Sequence, residues 1–248
     1  MATGKTTKGA APQMGADDLV ARLTSALGDA LAAVVLFGSA AGAEHHADHS
    51  DVNVLVLMRR LTPVELSPAF SAVTGDWEAA GQPAPLVMTV EEWRRSADIF
   101  PIEVGDVLSR HRVLFGAAPF EGMSVAPRDL RLQLEQESMG KLLKLRAAIL
   151  AAGADSARQR HLMVRSFSTF MVLFRALERL VGAPPAPDSE ALVRAVALRV
   201  GFDPAPYLAV LKHRQGGAPL DDPSALVERY LAGAEKLAAF LDVFPAGA

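Results

Sequence analysis

Residues Val34 to Met58 read VVLFGSAAGAEHHADHSDVNVLVLM. An apolar run, Leu31 to Phe37, stops at Gly38-Ser39; a polar loop follows, and a second apolar run opens with Ser50-Asp51-Val52-Asn53. Short runs with so little polar interruption are expected of strands covered on both faces. Residues two apart on a strand share a face, so Asp51 and Asn53 project side by side while Val52 and Val54 turn into the core. Gly38 supplies a backbone without a Cβ and Ser39 a hydroxyl, at a turn whose N–H groups can cradle anionic oxygens.

Working outward, Leu19, Leu23 and Leu27 follow Asp17-Asp18 at helical spacing. That pattern predicts a capped helix ahead of the first strand. The spacing predicts a helix over 63–80, a third strand over 85–90, a short helix at Glu91-Glu92-Trp93, and a fourth strand over 101–107, at a sheet edge because it begins with proline. After Gly116-Ala117-Ala118-Pro119 the pattern becomes purely helical. Pro127-Arg128-Asp129 opens a long helix with Leu130, Leu134, Leu142, Leu145 and Ile149 on one stripe. A second helix, 156–181, carries Met163, Phe167, Phe170, Met171, Phe174 and Leu177, and shorter helices follow over 189–200, 204–212 and 223–243. The reading is a tail over 1–16, an α/β (α+β) domain with a mixed sheet over 17–118, and an all-helical bundle over 119–248.

Composition narrows the partners. A formal net charge of -3 in 248 residues gives no overall positive field, so nucleic acid is not the expected ligand. The chain has no cysteine, which excludes disulfides and thiolate metal sites. No stretch approaches the ~20 apolar residues of a membrane span, and the N-terminus lacks the apolar core of a signal peptide. The expected location is the cytoplasm. Gly4-Lys5-Thr6 has the end of a phosphate-binding loop but neither its first glycine nor a strand leading into it, so it reads as tail. His45, His46 and His49 form a dense group of possible metal ligands in an Ala/Gly-rich loop; a solvated loop that titrates near neutrality fits them better.

The pattern of Gly-Ser, a loop of roughly ten residues and then Asp-x-Asp in a strand resembles the nucleotidyltransferase superfamily, the DNA polymerase beta-like fold. The α/β-then-helical layout, with FPIEVGDVLSRHRVLFG and LRLQLEQESMGKLLKLR, resembles bacterial members with a fused helical domain, broadly the aminoglycoside nucleotidyltransferases. The resemblance implies Mg²⁺-dependent (or Mn²⁺-dependent) transfer of a nucleoside monophosphate from a nucleoside triphosphate to a hydroxyl of a small molecule or a protein. It implies that Asp51 and the residue at position 53 hold metal, with a third carboxylate from a neighbouring strand as ligand or base. Glu103, alternating with Ile102 and Val104, is the candidate. Gly38 and Ser39 would hold the triphosphate, helped by Lys141 and Lys144 from the bundle, although a solvated helix face is the simpler reading of the two lysines. The acceptor would sit between the two domains. Two departures weigh against activity. Ala40-Ala41-Gly42-Ala43 replaces the arginine that often follows Gly-Ser, and position 53 is Asn rather than Asp. The alternative is therefore an inactive member that binds a nucleotide or a partner protein.

Overall fold

The computed structural model describes residues 14–41, 52–117 and 119–245, apart from the side chains of Ser39 and Ala40. The chain divides into two compact units, one formed by residues up to Arg95 together with Asp106–Met123, the other by Ser96–Gly105 together with Ser124 onward.

The first unit is a mixed four-stranded sheet with helices. Strand β1 (Leu31–Phe37) is followed by a 3-10 turn (Gly38–Ala41), β2 (Asn53–Met58), β3 (Leu86–Thr89) and β4 (His111–Gly116). The strand order is β3-β2-β1-β4; β1 runs antiparallel to β2 and β4, and β2 parallel to β3. The apolar runs behave as their composition demands. Val34, Leu36, Val54, Val56 and Met58 pack against Leu19, Leu23 and Leu27 of α1 (Ala16–Leu27) and Phe70, Val73 and Trp77 of α2 (Pro68–Ala79). On the other sheet face Val35, Leu55 and Leu57 are buried as well, and α3 (Val90–Arg94) packs on β2 and β3. The capping of α1 departs slightly from expectation. Asp18 lies in its first turn and accepts the Gly15 N–H, so Gly15 is the flanking residue.

The larger correction concerns 101–107. This segment is not a strand but the body of helix α4 (Pro101–Ser109). Pro101 stands at the first helical position, where its missing N–H costs nothing. Ile102, Val104, Asp106 and Val107 are all buried. A helix buried on most sides shows no amphipathic period, and the Ile-Glu-Val alternation imitates a strand. The fourth strand lies further on, at His111–Gly116. Gly116 has φ 71°, and a Cβ there would come 2.0 Å from the Ala32 carbonyl oxygen, so only glycine lets this edge strand approach β1.

The second unit is helical: α5 (Pro127–Ala152), α6 (Ser156–Leu180), α7 (Ser189–Val200), α8 (Ala205–Arg214) and α9 (Pro223–Asp242). Helix α6 packs against each of the other four, which explains the large buried side chains along it, from Met163 to Leu177. Its Phe170 and Phe174 meet Tyr207 of α8 and Tyr230 of α9, with the tyrosine rings stacked at 4.2 Å. The Tyr207 hydroxyl donates to the Tyr230 carbonyl at 3.0 Å, and Ser166 Oγ lies 3.2 Å from the Tyr230 hydroxyl. Burial pushes both phenols above their ordinary pKa. Among the described residues no helix is long and apolar enough to cross a membrane.

Candidate functional site

In the first unit the site grows out of the β1–β2 pairing. Phe37 lies opposite Asn53, so the chain leaves β1 and re-enters β2 at the same end of the sheet. The next residue, Gly38, has φ 77°, and a Cβ built on it would lie 3.4 Å from Asn53 Nδ2. Its N–H donates to the Arg110 carbonyl at 3.2 Å. The turn is thereby tied to the end of α4, and its left-handed backbone requires glycine. Gly38 and Asn53 thus stand beside one another. Asp51, His45, His46 and His49 lie outside the described residues, as does the side chain of Ser39.

The neighbouring strand does not supply a third carboxylate. Strand β3 runs parallel to β2 with Leu86 beside Leu55, so Gln82-Pro83-Ala84-Pro85 lead up alongside the head of β2. Gln82 Oε1 accepts the Val52 N–H at 3.0 Å. The Trp77 indole donates to the Pro83 carbonyl at 2.9 Å and fixes the same segment on α2. Every residue of the four strands is neutral or basic; none is Asp or Glu. Among the described residues, no group of three or more His, Asp or Glu could hold a metal ion. Among the described residues the donors around β2 are the amides of Asn53 and Gln82, which bring no charge to a divalent ion.

Glu103 belongs to the second unit. It stands in the first turn of α4, where an acidic group is favoured by the helix dipole. Gln133 of α5 donates from Nε2 to Glu103 Oε2 at 3.0 Å and accepts the Ile102 N–H on Oε1 at 2.7 Å. That N–H is one of the first-turn donors with no partner inside its own helix. Arg179 Nη2 donates to the Ile102 carbonyl at 3.2 Å. One glutamine thus caps α4 from outside and fixes the carboxylate beside it. Replacing Gln133 by leucine leaves the Ile102 donor unpaired and is expected to destabilise the helical unit by about 1–3 kcal/mol, measurable by denaturant titration. Lys141 sits on α5 in a 3.2 Å ion pair with Glu137, and Lys144, one turn on, is exposed.

Gln82 and Gln133 were not singled out by sequence, because a glutamine carries no positional signature. Each acts through one local geometry, a sheet edge or a helix start, that only the folded chain displays.

No family model matches this chain, and no curated protein matches it in sequence. Its fold does have a counterpart. The crystal structure of spectinomycin adenyltransferase AAD(9) from Enterococcus faecialis, with ATP and spectinomycin, superposes with a TM-score of 0.59. The match covers 89% of this chain and 97% of that one at 12% sequence identity. The nucleotidyltransferase-like fold with a C-terminal helical region is therefore shown for this chain.

Proposed function

We propose that this chain uses a nucleotidyltransferase fold to hold a nucleoside triphosphate at the Gly38 turn and the head of β2, with transfer of its nucleoside monophosphate strongly curtailed. The observation that carries this reading is Asn53. It occupies the place beside Gly38 where the resemblance calls for a second carboxylate, on a sheet whose strands have no Asp or Glu. The likeness in fold to a protein crystallised with ATP supports the nucleotide as ligand. Binding asks only for N–H donors and space for the phosphates; the Gly38 N–H is taken by the Arg110 carbonyl, so the donors in this reading are those of the following turn residues up to Ala41. Transfer asks for fixed charge against the developing transition state, which amides do not provide.

A second reading keeps the transferase active, with Mg²⁺ or Mn²⁺ on Asp51, Asn53 and Glu103, and with Lys141 and Lys144 on the triphosphate. Two observations favour it: Asp51 directly ahead of β2 in the sequence, and the fixed orientation of Glu103 by Gln133. Acceptors in that reading are hydroxyls of a small molecule or a protein. Calorimetric titration with ATP tests the site common to both. Asp51→Ala is expected to change the affinity at least tenfold, about 1.4 kcal/mol. An affinity identical to wild type would remove the head of β2 from the ligand site.

A further inference from the structure

Asn53 lies opposite Phe37 in β1, and Phe37 in turn lies opposite His111 in β4. Directly paired residues share a face of a sheet, so Asn53, Phe37 and His111 form one row across three strands. Arg112, opposite Leu36, falls on the other face, the one covered by α1. Among the described strand residues, His111 is the one titratable side chain on the face that carries Asn53. Two strand spacings, about 10 Å, separate the two. A ligand seated over the end of β1 lies within reach of both.

The ring of His111 is held by one nitrogen and leaves the other open. Nδ1 lies 2.7 Å from the Val107 carbonyl oxygen; a carbonyl only accepts, so the proton of this bond is on Nδ1. That carbonyl is among the last of α4, which have no partner inside their own helix. Phe120 meets the imidazole edge-on, with ring centroids 4.5 Å apart. The side chain is nonetheless exposed, and Nε2 is the nitrogen left for a ligand. Closing the end of α4 accounts for Nδ1 and asks nothing of Nε2. The Gly38 turn lacks what this nitrogen offers. Gly38 to Ala41 bring no cation, and the Gly38 N–H is spent on the carbonyl of Arg110, the neighbour of His111. The same bond fixes the head of β4 against the turn. An imidazolium donates from both nitrogens, and a charged donor on a phosphate oxygen makes a hydrogen bond roughly twice as strong as a neutral one.

We propose that His111 Nε2 donates to the triphosphate held at the Gly38 turn and supplies the positive charge that the turn lacks. This contact rests on the nucleotide reading above and assigns a further residue to that site. Two substitutions separate the ring nitrogens, because Asn places its amide near Nδ1 and Gln near Nε2. His111→Asn is expected to keep the Val107 bond and the denaturation midpoint of wild type, yet to weaken ATP by about tenfold or more in calorimetric titration. His111→Gln is expected to lower the midpoint and still bind ATP more tightly than His111→Asn. Wild-type affinity in His111→Asn, or the reverse order of the two variants, overturns the contact. Imidazole nitrogen magnetic resonance reads the atom itself. The Nε2 resonance of His111, absent from both variants, is expected to move with ATP and to stay in place with adenosine. Movement with adenosine, or an unmoved resonance when ATP is bound, removes the contact and leaves the nucleotide reading standing. A wild type that binds no ATP overturns both.

Discussion

Asn53→Asp is expected to raise nucleoside monophosphate incorporation by roughly a hundredfold over wild type in Mg²⁺ or Mn²⁺. The estimate follows from electrostatics. A unit charge pair ~4 Å apart is worth about 4 kcal/mol at an effective dielectric of 20, and recovering ~3 kcal/mol of it lowers a barrier by about two decades in rate. The substitution is isosteric at a half-buried strand end, so the pairing of β1 with β2 persists. It exchanges the amide nitrogen beside Gly38 for an anionic oxygen. Incorporation of label from α-phosphate-labelled triphosphates measures the gain. A variant that performs no better than wild type would show that the amide is not what limits transfer.

Phe170→Ala is expected to destabilise the helical unit by about 3–5 kcal/mol. Phe170 is 1% exposed, and its ring meets Phe174, Tyr207 and Tyr230 at centroid distances of 6.4, 5.9 and 5.6 Å. Truncation leaves a cavity at the centre of this cluster and removes two edge-to-face contacts, each worth about 0.5–1.5 kcal/mol beyond burial. The chain reports on its own units by spectroscopy. Both tryptophans, Trp77 and Trp93, lie in the α/β unit, and both tyrosines, Tyr207 and Tyr230, in the helical one. In denaturant the tyrosine near-ultraviolet signal of Phe170→Ala should shift to a lower midpoint. Equal stability of wild type and variant would mean that the cluster does not anchor the bundle.

How much of this was legible in the sequence depended on burial. Strands β1 and β2 are buried on both faces and announce themselves as apolar runs. Helices α1 and α5, buried along one side, announce themselves by spacing. Helix α4 is buried nearly all round, and its Ile102, Glu103 and Val104 copied the alternation of a strand. Strand β4 was hidden because it opens with His111 and Arg112 at an exposed edge. The juxtaposition of Gly38 and Asn53 could be read from spacing, since a strand, a turn and a returning strand leave little choice. The absence of carboxylates on the strand beside β2 could not, because it needs the β2–β3 pairing, with the Gln82 side chain bonded to the Val52 N–H at its head.

A protein that holds a nucleoside triphosphate without efficient transfer is distinguished from an active transferase by filter binding. Wild-type protein is incubated with α-phosphate-labelled triphosphates, a divalent cation and candidate hydroxyl acceptors, and retained label is chased with unlabelled nucleotide. Saturable retention that the chase removes, with label in covalent product near background, is the expected result. Retention of none of the four nucleotides, or rapid accumulation of covalent label by the wild type, would contradict it.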